Sequence, residues 1–560
     1  MQTATSRFAR PRPPLLKAAA LLVLCGAWPA QAADYLWYGA DELLGGDNTW
    51  NASSAYWKNT AGTRLAWPNN AGAGDRAVFA GTEDAPFEVT LAAGATINAN
   101  ALWFRTNYSL VPGNTSSRLN LVGATPTFTV DPGVTATTTV AIGGSSVTLD
   151  GGGTWALGAG NSLGDSLGLI VAGGSTFDLA GFAETIGDLR LTAGTLAGTG
   201  TLTTTGSITL ESGTVGLRLG GSGRPLYKIG AGTVVLNGSN TYTGPTNVLE
   251  GTLQLGPDGR LANSSALLVD GGVFALGSTR DTVGAVTLAS GSITGTTGVL
   301  TGSAYDLRSG SVSAVLGGRN RVATKSTAGI VTLTGANTYT GATNLDAGAL
   351  VLGSGGSIAG ASRITVAAGA TLAGISTTNT APVTVNGTLS PGALSASGIS
   401  SIGTLATGAE IWNGGGSYLW QVDRVPALGS AGANWDRLSI GGSLTLNATS
   451  ANPFVVRVIG LEAGGGVGAI TGFDNTRSYS WSLLTASSIS GFSAGEFRVD
   501  ASVFAATNPL GGGSFAVAQS GGSLNLVFTP VPEPRTYALL LGAVTLGFIV
   551  VRRRGGRAAR

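Results

Sequence analysis

The chain has 560 residues, 43% of them hydrophobic and 91 of them glycine, with one cysteine and no histidine. Those absences exclude Ser-His-Asp and Cys-His nucleophiles, and zinc, copper or haem sites built on His or Cys, so no cofactor is expected. The formal charge of +2 conceals two basic ends: four cations precede Ala33 and five follow Val551, leaving 22 Lys+Arg against 29 Asp+Glu between them, a net of −7. A mildly acidic body gives nucleic acid no basic patch to bind.

Residues 1–32 read as a secretory signal. Arg7, Arg10, Arg12 and Lys17 precede the apolar stretch Ala18 to Trp28, and Ala30-Gln31-Ala32 supplies small residues for cleavage between Ala32 and Ala33. Residues 33–120 have a different texture, with Trp37, Trp50, Trp57, Trp67 and Trp103 close together. A strand stack needs its open end covered, so this region is expected to form an N-terminal cap. The alternative is an aromatic platform for sugars, with Trp57 and Trp103 as candidate glycan contacts.

Residues 121–400 are rich in Gly, Thr, Ser, Ala and Val, which favours many short strands with tight turns. An internal repeat lies inside them. Residues 230–256 (GAGTVVLNGSNTYTGPTNVLEGTLQLG) align with 327–353 (TAGIVTLTGANTYTGATNLDAGALVLG) at a constant offset of 97. The offset pairs Asn240 with Asn337, Tyr242 with Tyr339 and Gly244 with Gly341. These copies resemble the autotransporter-associated β-strand repeat, and the resemblance implies an all-β fold, a right-handed parallel β-helix. Trp50, Trp57, Trp67, Asp75 and Phe79 are similar to the aromatic start that precedes such repeats.

Residues 401–530, with cleaner alternation around Trp420 and Val422, are expected to close the solenoid as a C-terminal β region. The last segment, 531–560, joins three unlike parts: Pro532-Glu533-Pro534, an uncharged run from Thr536 to Val551, and Arg552, Arg553 and Arg554. The prolines keep the peptide extended. The 16-residue run would span roughly 24 Å as a helix, a little under the ~30 Å hydrocarbon core, and the arginines would resist crossing. This order resembles the PEP-CTERM sorting signal of Gram-negative bacteria that make exopolysaccharide. The resemblance implies an exosortase as partner, a C-terminal transmembrane helix holding the chain in the inner membrane before processing, and later residence at the cell surface or in the matrix. Autotransporters end in an outer-membrane barrel, and this sequence ends instead in one apolar span.

Acids are scattered (Asp150, Asp165, Asp178, Asp188, Glu250, Asp270, Asp346, Asp423, Asp436), and no Asp-x-Asp pair occurs in the repeat zone. Catalytic and metal residues are therefore unassigned. The expectation is a non-catalytic surface or matrix protein, active in adhesion or the exopolysaccharide of a biofilm. The alternative is a carbohydrate-active protein: a β-helical polysaccharide lyase or hydrolase, or a glycan-binding module.

Overall fold

A computed structural model of the chain describes residues 33–38, 44–69, 74–81, 86–394 and 401–531. They form an all-β solenoid of right-handed type, in which successive coils stack by parallel pairing. The first repeat copy shows how the sequence makes a coil. Leu226–Lys228 lies on one long face, Thr233–Leu236 on a second, and Thr246–Val248 returns to the first, one coil on. Leu226 sits opposite Thr246, and Thr246 opposite Leu267; on the second face Val234 sits opposite Leu253, and Leu253 opposite Phe274.

Because side chains alternate across a strand, Val234, Leu236, Leu253 and Leu255 point into the core while Thr233, Val235 and Gln254 point outward. The bend before Thr252–Leu255 needs Gly251 at φ +59°, and a Cβ there would collide with the Gly230 and Gly232 carbonyls. Gly348 repeats this at φ +67°, 97 residues later.

A third, shorter face carries strands such as Thr201–Thr204 and Arg218–Gly220 in some coils. In both repeat copies this face has no strand after the second long face. The Asn-Thr-Tyr-Thr-Gly segment turns the corner instead, held by single bridges from Ser239 to Arg260 and Ala336 to Ser357. Inside, aromatic rings stack coil on coil: Phe79 on Phe104 (4.8 Å), Phe104 on Phe128 (4.9 Å) and Phe128 on Trp155 (4.1 Å).

Parallel pairing extends past both boundaries set by composition, 120 and 400. It begins with Asp34 opposite Arg76 and Arg76 opposite Ala101, and runs on to Phe454 opposite Phe497. The cap residues thus belong to the stack, joined by the small antiparallel strands Trp57–Lys58 and Arg64–Leu65. At the far end, the third face continues through Tyr479–Thr485 into the antiparallel pair Ser514–Ser520 and Ser523–Thr529, which closes the core. Among the described residues no helix is long and apolar enough to cross a membrane. The expected span over 536–551, the sorting motif Pro532, Glu533 and Pro534, and Arg552, Arg553 and Arg554 all lie outside them, as does Ala32.

Candidate functional site

The repeated Asn, Tyr and Gly are corner residues of the coil. The Leu219 N–H donates to Asn240 Oδ1 (3.0 Å), while Asn240 Nδ2 donates to the carbonyls of Gly238 (3.1 Å) and Arg260 (2.9 Å). One buried amide therefore ties three successive coils. Asn337 repeats the set with Leu316 (2.9 Å), Gly335 (2.9 Å) and Ser357 (3.0 Å). The buried hydroxyls of Tyr242 and Tyr339 pair with Thr246 Oγ1 (2.7 Å) and Thr343 Oγ1 (2.9 Å). A Cβ at Gly244 or Gly341 would strike the carbonyl of Arg224 or Arg321 in the preceding coil, so only glycine fits.

Side-chain oxygens fill the same corner elsewhere. Glu184 takes the N–H of Leu163 (3.2 Å), Asp281 that of Leu261 (3.0 Å) and Asn379 that of Ile358 (3.2 Å), each 20 or 21 residues back. Burial pushes the Asp281 carboxyl up to about 6 and raises that of Glu184, in both cases against the stabilising backbone N–H groups. These shifted acids are plugs facing backbone inside the wall. Sequence reasoning missed them; their signal is an acid or amide one coil after a buried Leu or Ile.

It also missed two lysines related by the offset of 97. Lys228 is fully buried, and its ammonium donates to the carbonyls of Ile229 (2.8 Å), Gly230 (2.6 Å) and Glu250 (3.0 Å). Lys325 donates likewise to Thr327 and Ala347. Burial lowers the pKa of both amines, with acidic neighbours opposing the shift.

In the C-terminal coils, Glu410 accepts from Thr407 Oγ1 and Trp412 Nε1, both at 2.5 Å, and burial raises its carboxyl to about 7. Asp436 accepts from the Gly403 (2.9 Å) and Gln421 (3.0 Å) N–H groups and is raised further by complete burial. Among the described residues no group of three or more acids is arranged to hold a metal ion.

Trp57 corrects the platform expectation. It is 0% exposed and packs at 5.0–5.5 Å against Trp37, Trp50, Trp67 and Phe79, because a cap core needs bulk where the stack begins. It offers no face to a sugar. Trp103 is half-buried on the outside of the first long face. The guanidinium groups of Arg76 and Arg105 lie 4.4 and 5.0 Å from its ring centroid, and its N–H donates to Asp131 (2.7 Å). Arg76 also pairs through two bonds of 2.8 Å with Asp34 and lines a cleft of about 720 Å³ with Ala33, Thr60 and Thr127.

Residues 226–255 and 324–352 match the family model described as a passenger-associated transport repeat. Both stretches begin close to the buried lysine and run through two strands of the second face, ending with Thr252–Leu255 and Ala349–Leu352. The chain is also 31% identical over 264 residues, 44% of its length, to the adhesin BmaC autotransporter of Brucella suis biovar 1 (strain 1330). The match spans 7% of that protein.

Proposed function

We propose that this protein is an exported, non-catalytic surface protein that presents its solenoid wall for adhesion. The supporting observation is the division of labour within the coil. Asn240, Asp281, Lys228 and their counterparts are turned inward onto backbone, while the outer wall carries registered small polar residues. On the second face, Thr135, Thr154, Thr176, Thr195 and Thr214 sit opposite one another in five successive coils. Such columns repeat about every 4.8 Å and form a stiff, polar, uncharged surface. The likeness to part of an autotransporter adhesin supports the same reading.

Delivery in this proposal uses the signal cut after Ala32, then sorting through Pro532-Glu533-Pro534 by an exosortase, with residues 536–551 held in the inner membrane until processing. Exopolysaccharide is the proposed surrounding matrix. Fractionation of producing cells tests it: the processed chain should be found at the surface or in the matrix, and retention in the cytoplasm overturns the proposal. Pro532→Ala with Glu533→Ala should leave a larger, inner-membrane form; an unchanged size and location removes the sorting step.

A second reading, glycan binding, is favoured by the cleft beside Arg76 and Asp34, since a locked Arg–Asp pair both donates to and accepts from sugar hydroxyls. Saturable binding of the producer's polysaccharide, weakened in Arg76→Ala with the solenoid intact, would support it. Chain scission would instead support the enzyme alternative.

A further inference from the structure

Asp75 is a buried carboxylate that meets no basic side chain among the described residues. It is 8% exposed, and among the described residues no Lys or Arg lies within ion-pair distance of it. Its Oδ1 faces the backbone nitrogen of Ala33 at 3.3 Å. Ala33 is held there from its other side, since its carbonyl accepts from the Arg76 N–H (3.0 Å) and the next residue, Asp34, pairs with the Arg76 guanidinium. Tyr35 also feels the Asp75 charge, which adds to burial in raising its phenol. One neutral N–H compensates a buried carboxylate only in part, whereas a cation at the same place would meet its charge.

We propose that Asp75 is the receptor for the α-ammonium group of the processed chain. The inference rests on cleavage between Ala32 and Ala33. Hydrolysis of that peptide bond leaves the Ala32 carboxylate on the signal and a protonated amine on Ala33. The new cation forms at the atom already aimed at Asp75, so no rearrangement is needed. The result is two adjacent pairs of opposite sense, Ala33 with Asp75 and Asp34 with Arg76, clamping Asp34–Trp37 to Arg76–Phe79. Signal removal thereby locks the first strand of the stack, and the cap is completed only after export.

The test uses the full exported chain purified from producing cells. Mass spectrometry of its N-terminal peptide reads the cleavage point, and an amine-reactive ester at neutral pH reads the state of the α-amine. The expected result is an N-terminus at Ala33 whose amine reacts about tenfold more slowly than a free peptide amine, as an opposite charge at this range gives. Asp75→Asn should restore fast labelling. A second variant, with Gly-Ser inserted after Ala32, keeps the test decisive should Asp75→Asn fail to fold: its N-terminal amine, displaced from Asp75, should also label at the free rate. An N-terminus other than Ala33 overturns the cleavage reading on which the inference rests. An N-terminus at Ala33 that labels at the free rate in the unaltered protein overturns the receptor role alone.

Discussion

Replacing Lys228 with methionine isolates the buried ammonium from the length of the side chain. Methionine fills nearly the same space and donates nothing, so the carbonyls of Ile229, Gly230 and Glu250 lose their shared donor. Each charge-assisted bond contributes about 1.5–3 kcal/mol, offset by relief from burying the ammonium. That relief is real, because burial already lowers the amine's pKa. Ile229 and Gly230 are half-buried, and their carbonyls would face an apolar group in place of the ammonium, so the balance stays unfavourable, at about 3 kcal/mol. Solenoids open locally, so the assay is hydrogen exchange resolved by coil. About 3 kcal/mol corresponds to a roughly hundredfold faster exchange around 226–255, with distant coils unchanged. Lys325→Met should act alike on its own coil and independently, since five successive strand pairings, roughly 24 Å, separate the two lysines along the first face. Unchanged exchange in Lys228→Met would refute the plug.

Other perturbations probe neighbouring parts of the account. Gly244→Ala should destabilise its coil by about 2 kcal/mol or more through collision with the Arg224 carbonyl, read as a lower melting temperature; an unshifted melt contradicts the close approach. Asn240→Ala should cost about 2–3 kcal/mol by orphaning the Leu219 N–H, seen as local loss of exchange protection. Glu410, raised to about 7 from 4.5, binds its proton more tightly folded than unfolded. Its contribution is therefore fully present below pH 4.5 and is lost as pH rises towards 7. Denaturation midpoints across that window should fall for the unaltered protein, with a shallower slope in Glu410→Gln; equal slopes would remove Glu410 as the cause.

The sequence made the repeat readable because corner geometry tolerates few residues. Asn240, Tyr242 and Gly244 each meet a separate backbone demand, so all three recur at the same offset. Lys228 and Lys325 recur too, yet lysine carries no local conformational signature, and its burial becomes visible only once the preceding strand joins the coil. The buried acids were illegible for a related reason. Asp281 and Glu184 act on a residue 20 or 21 positions back, a spacing that acquires meaning only once the length of a coil is known. Trp57 shows the limit of composition: tryptophans crowd both cap cores and sugar platforms, and only packing tells one from the other. The solenoid edges were blurred by longer excursions, as between Trp420 and its partner Val458, which hide parallel pairing from any search for a short period.

A membrane-impermeant amine-reactive ester applied to intact producing cells, followed by peptide mapping, bears most directly on an exported solenoid whose repeated charges face inward. Lys58 is only half-buried, with its amine over the Tyr38 ring, whereas Lys228 and Lys325 are sealed in the wall. The account predicts labelling of Lys58 and none of Lys228 or Lys325 until the protein is denatured. Labelling of the two repeat lysines on intact cells, or of no lysine at all, would contradict it.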